Sequence, residues 1–147
     1  MGRLMADVLR NRGARLAFVF HGEDGLDELT TTGPSYIYRL KDGEITHAEF
    51  TPEDFGVSRA KPEDLKGGDV DTNVAITRAI LTGERGPKRD IAMVNAAPAI
   101  VAAGFADGFT EAVTLAEQAV DSGDAITVLD RAVQLSNALR IENVNDR

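Results

Sequence analysis

Leu16-Ala17-Phe18-Val19-Phe20 is an unbroken apolar run, and it passes straight into the polar octet His21-Gly22-Glu23-Asp24-Gly25-Leu26-Asp27-Glu28. An apolar stretch of this length without alternation suits a strand covered on both faces, as in a parallel α/β sheet. Open α/β sheets build their sites at the carboxyl ends of strands, which is where the octet falls. Glu23, Asp24, Asp27 and Glu28 repel one another unless they are solvated or bound to a cation. Hard oxygen donors of this kind suit Mg²⁺, which takes a few carboxylates and fills the remaining positions with water and substrate phosphate. Asp27 and Glu28 are neighbours that point in different directions, so they suit two ions, or one ion and its water. A plainer reading stands beside this one: Asp24-Gly25 is a common turn, and acidic residues after a strand often cap a helix. His21 is equally open between a hydrogen-bonded structural residue and a base or ligand.

Working outward, Leu4, Met5, Val8 and Leu9 share one face of a helix over Arg3 to Arg12, and Gly13 is its left-handed cap. Tyr36 to Leu40 and Glu44 to Phe50 flank Asp42-Gly43, whose preference for positive backbone angles predicts a β-hairpin. Thr51 to Gly56 reads as a turn and Pro62 to Gly68 as an irregular connection. A helix follows with Asp71 or Thr72 as N-cap and Gly83 as its stop. Pro87 opens the next helix, a nearly all-apolar one running to Gly104 with a bend or break near Pro98. Thr110 to Asp121 and Asp124 to Asn137 predict two more helices, and Asn143 to Arg147 should fray. The expected fold class is α/β: a thin mixed sheet of one buried strand and a hairpin, flanked by about five helices, in a single domain over residues 1–147.

Composition bounds the chemistry. Lys and Arg number 16 against 24 Asp and Glu, for a net charge of −8, a field that repels a polyanion and argues against nucleic acid. Cysteine is absent, which excludes disulfides, thiolate metal sites and a Cys nucleophile and fits a cytoplasmic protein. Ile91 to Ala103, the richest apolar stretch, is too short to cross a bilayer and holds Asn95, so no membrane partner is expected. Without Trp, and with two Tyr and six Phe, the core must be mostly aliphatic.

HGEDGLDE after the apolar strand, PEDFG at Pro52 to Gly56, LKGGD at Leu65 to Asp69, GPKRDIAMVNAA at Gly86 to Ala97 and AVDSGDA at Ala119 to Ala125 occur in that order. Together they resemble the C-terminal α/β region of anthranilate phosphoribosyltransferase, of the nucleoside phosphorylase/phosphoribosyltransferase type of fold. The resemblance implies transfer of the phosphoribosyl group of phosphoribosyl pyrophosphate to anthranilate, a step of tryptophan biosynthesis, with Mg²⁺ as cofactor. It makes Asp27 and Glu28 the metal ligands, the Glu serving both ions, and it names no catalytic side chain in this stretch. The family's GTGGD phosphate loop, its KHGN segment, its Asn-Ser/Thr metal-binding stretch and its anthranilate-contacting Arg are not in this sequence. Activity of the 147-residue chain alone is therefore not expected. The expected partners are the two substrates in the complete enzyme, together with a complementing N-terminal piece or a second copy pairing at the sheet edge. The alternatives are a non-catalytic remnant or interaction fragment and a relative of pyrimidine nucleoside phosphorylase, against which DGLDE argues. Leu65 to Asp69 is expected to be a surface turn. Lys88 and Arg89 are expected at a solvated helix end, and Asn95 in a buried hydrogen bond to backbone.

Overall fold

The computed structural model describes residues 1–145 of the chain. The elements follow in the order α1 (Gly2–Asn11), β1 (Leu16–Gly22), β2 (Ser35–Lys41), β3 (Glu44–Phe50), α2 (Val70–Leu81), α3 (Pro87–Ala102), α4 (Phe109–Asp121) and α5 (Asp124–Asn145). One-turn 3-10 helices at Pro52–Phe55 and Pro62–Leu65 link the sheet to α2. This is the α/β class that the apolar patterning implies.

The sheet differs from expectation in two respects: β1, expected to be a buried strand, is half-buried from Leu16 to Phe20 at the edge of the sheet, and the strand directions are not those inferred. Its order is β1-β2-β3 and both pairings are antiparallel, so the parallel strand and the mixed sheet inferred from Leu16–Phe20 are not formed among the described residues. The run lacks alternation because helices cover the sheet from two sides. Phe18 and Phe20 share a face with Ile37, Ala48 and Phe50 and pack on the core built from α3 and α4. Val19 shares the opposite face with Tyr38 and His47, and α1 lies against the sheet beside Tyr38. The turn is the one predicted: Asp42 and Gly43 have φ of 47° and 91°, and Lys41 pairs with Glu44, which defines a two-residue hairpin loop.

Helix α1 presents an unexpected face. Leu4, Met5 and Val8 stay exposed, whereas Ala6 is buried. Small residues allow this close approach: a Cβ at Gly2 would come within 2.6 Å of the Tyr38 ring. Gly13, at φ 85°, ends the helix as predicted. Helix α2 starts earlier than predicted, because Asp69, rather than Asp71 or Thr72, is the N-cap and accepts the Thr72 amide at 2.9 Å. Helix α3 runs through Pro98 without a break. Pro98 is buried within that helix, next to the core residues Ala97 and Val101, and packing there offsets the missing backbone bond. Helix α5 is longer than expected; it includes residues 143–145, while residues 146 and 147, the rest of the predicted fraying end, lie outside the described part.

The core joins Leu29, Ile37, Phe55, Met93, Val94, Ala97 and Val101 to the inner face of α4. Four of the six Phe gather at its edge, with Phe109 stacked on Phe55 at 5.1 Å, edge-on to Phe50 at 5.3 Å and tilted against Phe18 at 5.4 Å. Leu29 connects this core to the acidic octet, because it is buried here and directly succeeds Asp27-Glu28.

Candidate metal centre

The octet and the residues after it form a loop from the end of β1 to the start of β2, closed at its base by the paired residues Gly22 and Ser35. Inside it, the Gly22 amide donates to the Leu26 carbonyl at 3.0 Å and the Glu23 amide donates to the Pro34 carbonyl at 2.9 Å. Gly25 has φ 92°, which lets the chain reverse there.

Asp24 organises the turn. Its carboxylate accepts the hydroxyls of Thr30 at 2.5 Å and Thr32 at 2.7 Å and the amide of Leu26 at 3.2 Å. Partial burial tends to raise its pKa, but the bonds from Thr30, Thr32 and the Leu26 amide outweigh that and hold the group below its ordinary value. Gly22 is required beside it, since a Cβ there would stand 2.5 Å from an Asp24 oxygen and 3.0 Å from Thr30. The Glu23 carboxylate interacts with the Tyr36 hydroxyl, whose pKa the Glu23 charge raises. Two of the four carboxylates in the octet thus have partners within the protein: Asp24 inside the loop, as the turn reading of Asp24-Gly25 anticipates, and Glu23 with Tyr36 on β2.

Asp27 and Glu28 are the other two. Both are exposed, and neither makes a hydrogen bond or ion pair with any described residue. They stand on a segment held at both ends: Leu26 by Gly22 and Asp24, Leu29 by Asn95. Among the described residues no three His, Asp or Glu converge on one point. The donor set therefore fits a hard divalent ion only in part, supplying one or two carboxylate oxygens of the roughly octahedral shell and leaving the rest to water and phosphate, the arrangement Mg²⁺ favours.

His21, the first residue of the octet, turns toward Tyr36 on β2. It is exposed at the end of β1, with Nδ1 3.2 Å from the Gly22 carbonyl oxygen and its ring 5.3 Å from that of Tyr36. Asn95 makes the expected hydrogen bonds to backbone, and it makes them across the fold to Leu29, so that α3 is tied to the loop. Lys88 and Arg89 do not form a solvated helix end. Lys88 Nζ donates to the Asp64 carbonyl at 2.9 Å and to the Lys66 carbonyl, stapling the Leu65–Asp69 turn to α3. Arg89 is 2% exposed and bonds Asp121 at 2.7 Å and the Gly83 carbonyl at 3.3 Å, joining α3 to α4 and to the end of α2. Burial costs a guanidinium its hydration, so such a group is held by partners on several elements. Leu65 to Asp69 is the expected surface turn, with Gly68 bonded to Asn73 in both directions.

Residues 1–126 match the family model described as "Glycosyl transferase family, a/b domain". The chain belongs to this family. It is 47% identical over 133 residues to the anthranilate phosphoribosyltransferase of Rhodopseudomonas palustris (strain BisA53), and the match covers 90% of this chain and 39% of that protein. It is 51% identical over 129 residues to the Moorella thermoacetica enzyme of the same name, covering 88% and 38%. The anthranilate phosphoribosyltransferase of Thermus thermophilus superposes with a TM-score of 0.81 at 36% identity, over 90% of this chain and 39% of that one. The Saccharomyces cerevisiae enzyme solved with PRPP and Mg has the same fold, with a TM-score of 0.69 at 21% identity over 77% of this chain and 33% of that one. The resemblance read from the ordered motifs thus agrees with the relatives by name. The chain spans about two fifths of the length of the curated relatives it matches.

Proposed function

We propose that this chain supplies the metal-binding wall of an anthranilate phosphoribosyltransferase site, with Asp27 and Glu28 as the ligands of Mg²⁺. The observation that carries the reading is the contrast within one loop. Asp24 is saturated with donors, whereas Asp27 and Glu28 are held in place yet face solvent with no partner among the described residues. Unpaired adjacent carboxylates repel, and a divalent cation relieves that repulsion. The relatives are named for phosphoribosyl transfer to anthranilate. In the reading proposed here the amine nitrogen bonds to the anomeric carbon as the bond from that carbon to the diphosphate oxygen breaks, the diphosphate leaves and the amine proton passes to solvent. Bound at the pair, the ion would offset the charge that gathers on the departing diphosphate. The chain's own part is to hold the two carboxylates at the end of β1, on a loop tied to α3. We place the chain as the C-terminal α/β portion of such an enzyme, over residues 1–147 as one domain.

Two carboxylates without a phosphate cradle do not orient the sugar donor, so the polypeptide alone is expected to leave anthranilate unconsumed. Anthranilate fluorescence, followed with phosphoribosyl pyrophosphate and Mg²⁺, tests this, and sustained turnover by the pure chain overturns it. With the N-terminal part of a relative added in trans, activity should appear and should vanish with Asp27→Ala or Glu28→Ala. Activity that survives both substitutions overturns the site. The outer edge of β1, unpaired among the described residues, favours a second reading: a non-catalytic fragment that pairs this edge with another chain. A lack of association with the N-terminal part, together with self-association in solution, would select it.

A further inference from the structure

Among the described residues, the loop carrying Asp27 and Glu28 has a single side-chain hydrogen-bonding tie to a distant element, and that tie is Asn95 on α3. Its Oδ1 accepts the Leu29 amide at 2.8 Å, and its Nδ2 donates to the Leu29 carbonyl at 2.8 Å and to the Ile91 carbonyl at 3.0 Å. A primary amide has two N–H donors, and both are used here. Gripping the N–H and the C=O of one residue fixes the peptide planes on both sides of it, as a strand partner would. The plane before Leu29 contains the Glu28 carbonyl. On the other flank, the bond from the Gly22 amide to the Leu26 carbonyl fixes the plane that contains the Asp27 amide. Only the peptide joining Asp27 to Glu28 is left without such a lock. The bonds at Leu26 and the Asp24 network are internal to the loop, so they set its shape but not its place against the core. A main-chain bond from the Ala60 amide to the Thr31 carbonyl, at 2.8 Å, anchors the returning limb, beyond the pair. Asn95 sets the place of the pair itself, because its own helix is rooted by buried Met93, Val94 and Ala97.

We propose that Asn95 is the positioning residue of the Asp27-Glu28 pair, fixing through the Leu29 main chain the direction in which the two carboxylates are presented to a divalent cation; this rests on the metal reading of the pair. Asn95 does not ligate the ion. Its removal frees the peptide planes around Leu29, while the Leu29 side chain can stay in the core. Partners of this outer kind typically contribute about tenfold or more to metal affinity.

The test is a Mn²⁺ titration of the ¹⁵N-labelled 147-residue protein, reading paramagnetic broadening of amide signals. Wild type should broaden first at the amides of Asp27 and Glu28, and Asp27→Asn/Glu28→Gln should abolish this. If that double variant broadens as wild type does, the metal reading fails whatever Asn95 does. In Asn95→Ala the midpoint should rise about tenfold, with a dispersed spectrum showing the fold intact and Leu29 amide exchange greatly accelerated. A purely structural role would lower the melting temperature and leave the midpoint where it was; that outcome, with the double variant inactive, overturns the role of Asn95 and spares the metal site. Should Asn95→Ala not fold, the near-isosteric Asn95→Asp is judged by the same midpoint. Wild type supplies an independent check: its Leu29 amide must exchange far more slowly than that of Glu28, and equal rates overturn the proposal.

Discussion

Leu26 and Leu29 flank Asp27-Glu28 on either side, and the structure gives them opposite fates. Leu29 is 0% exposed and Leu26 is 36% exposed. Leu29→Ala removes a side chain that packs in the core with Ile37, Phe55 and Met93, so it loses the transfer free energy of the deleted carbons and leaves a cavity that the rigid helix α3 cannot fill. The expected cost is about 3 kcal/mol, the middle of the range for buried leucines. Part of it could be recovered by collapse, but the main-chain grip of Asn95 opposes any shift of residue 29 inward. For a chain of this size the loss corresponds to a fall in Tm of roughly 10 °C. Leu26→Ala exposes little new surface and should cost about 0.5 kcal/mol. Urea unfolding followed by far-UV circular dichroism measures both, provided that the slope with denaturant is unchanged. A Leu29→Ala cost below about 1 kcal/mol, or equal costs for the two leucines, would refute the placement of the loop against the core, and with it the geometry assigned to the pair.

Asp24 gives a pH signature. Its folded pKa lies below the unfolded one, so the stability it contributes is present above the unfolded carboxylate range and is lost as pH falls through the folded value. Asp24→Asn should therefore lower Tm at neutral pH, and the gap from wild type should close in acid; a constant gap across thermal melts at several pH values would count against the network. Arg89→Leu should lower Tm by several degrees, because it removes the buried tie between α3, α4 and the end of α2. Arg89→Lys should recover only part of that, since an ammonium cannot reproduce the spread of guanidinium contacts. Asp27→Asn/Glu28→Gln should leave Tm within about 2 °C of wild type, as exposed side chains without partners contribute little to folding; a large loss would mean that the pair is structural.

The elements that were legible in the sequence are those fixed by local chemistry. Asp42-Gly43 specifies its own turn, and Gly13 and Pro87 mark helix ends through backbone preferences that need no partner. Strand direction was not legible, because an apolar run on a sheet reports only that both faces are covered, and β1 is flanked by α1 on one side and the α3–α4 core on the other. The continuity of α3 through Pro98 and the exposed face of α1 are not legible for a related reason: tertiary packing outweighs helix chemistry at the first, and the small residues Gly2 and Ala6 make the close approach at the second. Within the candidate site, Asp27 and Glu28 carried a signal in their adjacency. Thr30 and Thr32 carried none, since three successive threonines read as an ordinary polar loop until Asp24 is seen to fold back on them. Asn95 stood out as a lone amide in an apolar helix, which announces a buried partner but not its identity 66 positions away.

That separation has a physical consequence for how the site is built. A loop that carries unpaired acidic groups is driven apart by its own charge, and its internal bonds alone would let it swing as a unit on β1 and β2. Placing the long-range lock on main-chain atoms of a core residue keeps the polar atoms of Asn95 satisfied and leaves both carboxylates free for solvent or an ion. A lock made instead by a basic side chain would have neutralised the pair that it positions. The division of labour within the octet follows the same logic: Asp24 takes the hydrogen bonds that shape the turn, so that Asp27 and Glu28 need none. Asp24→Asn and Asn95→Ala should accordingly differ in kind. The first should loosen the turn around Asp24 and couple its effect to pH, whereas the second should free the peptide planes around Leu29 while the Asp24 network persists, with little dependence on pH above the carboxylate range.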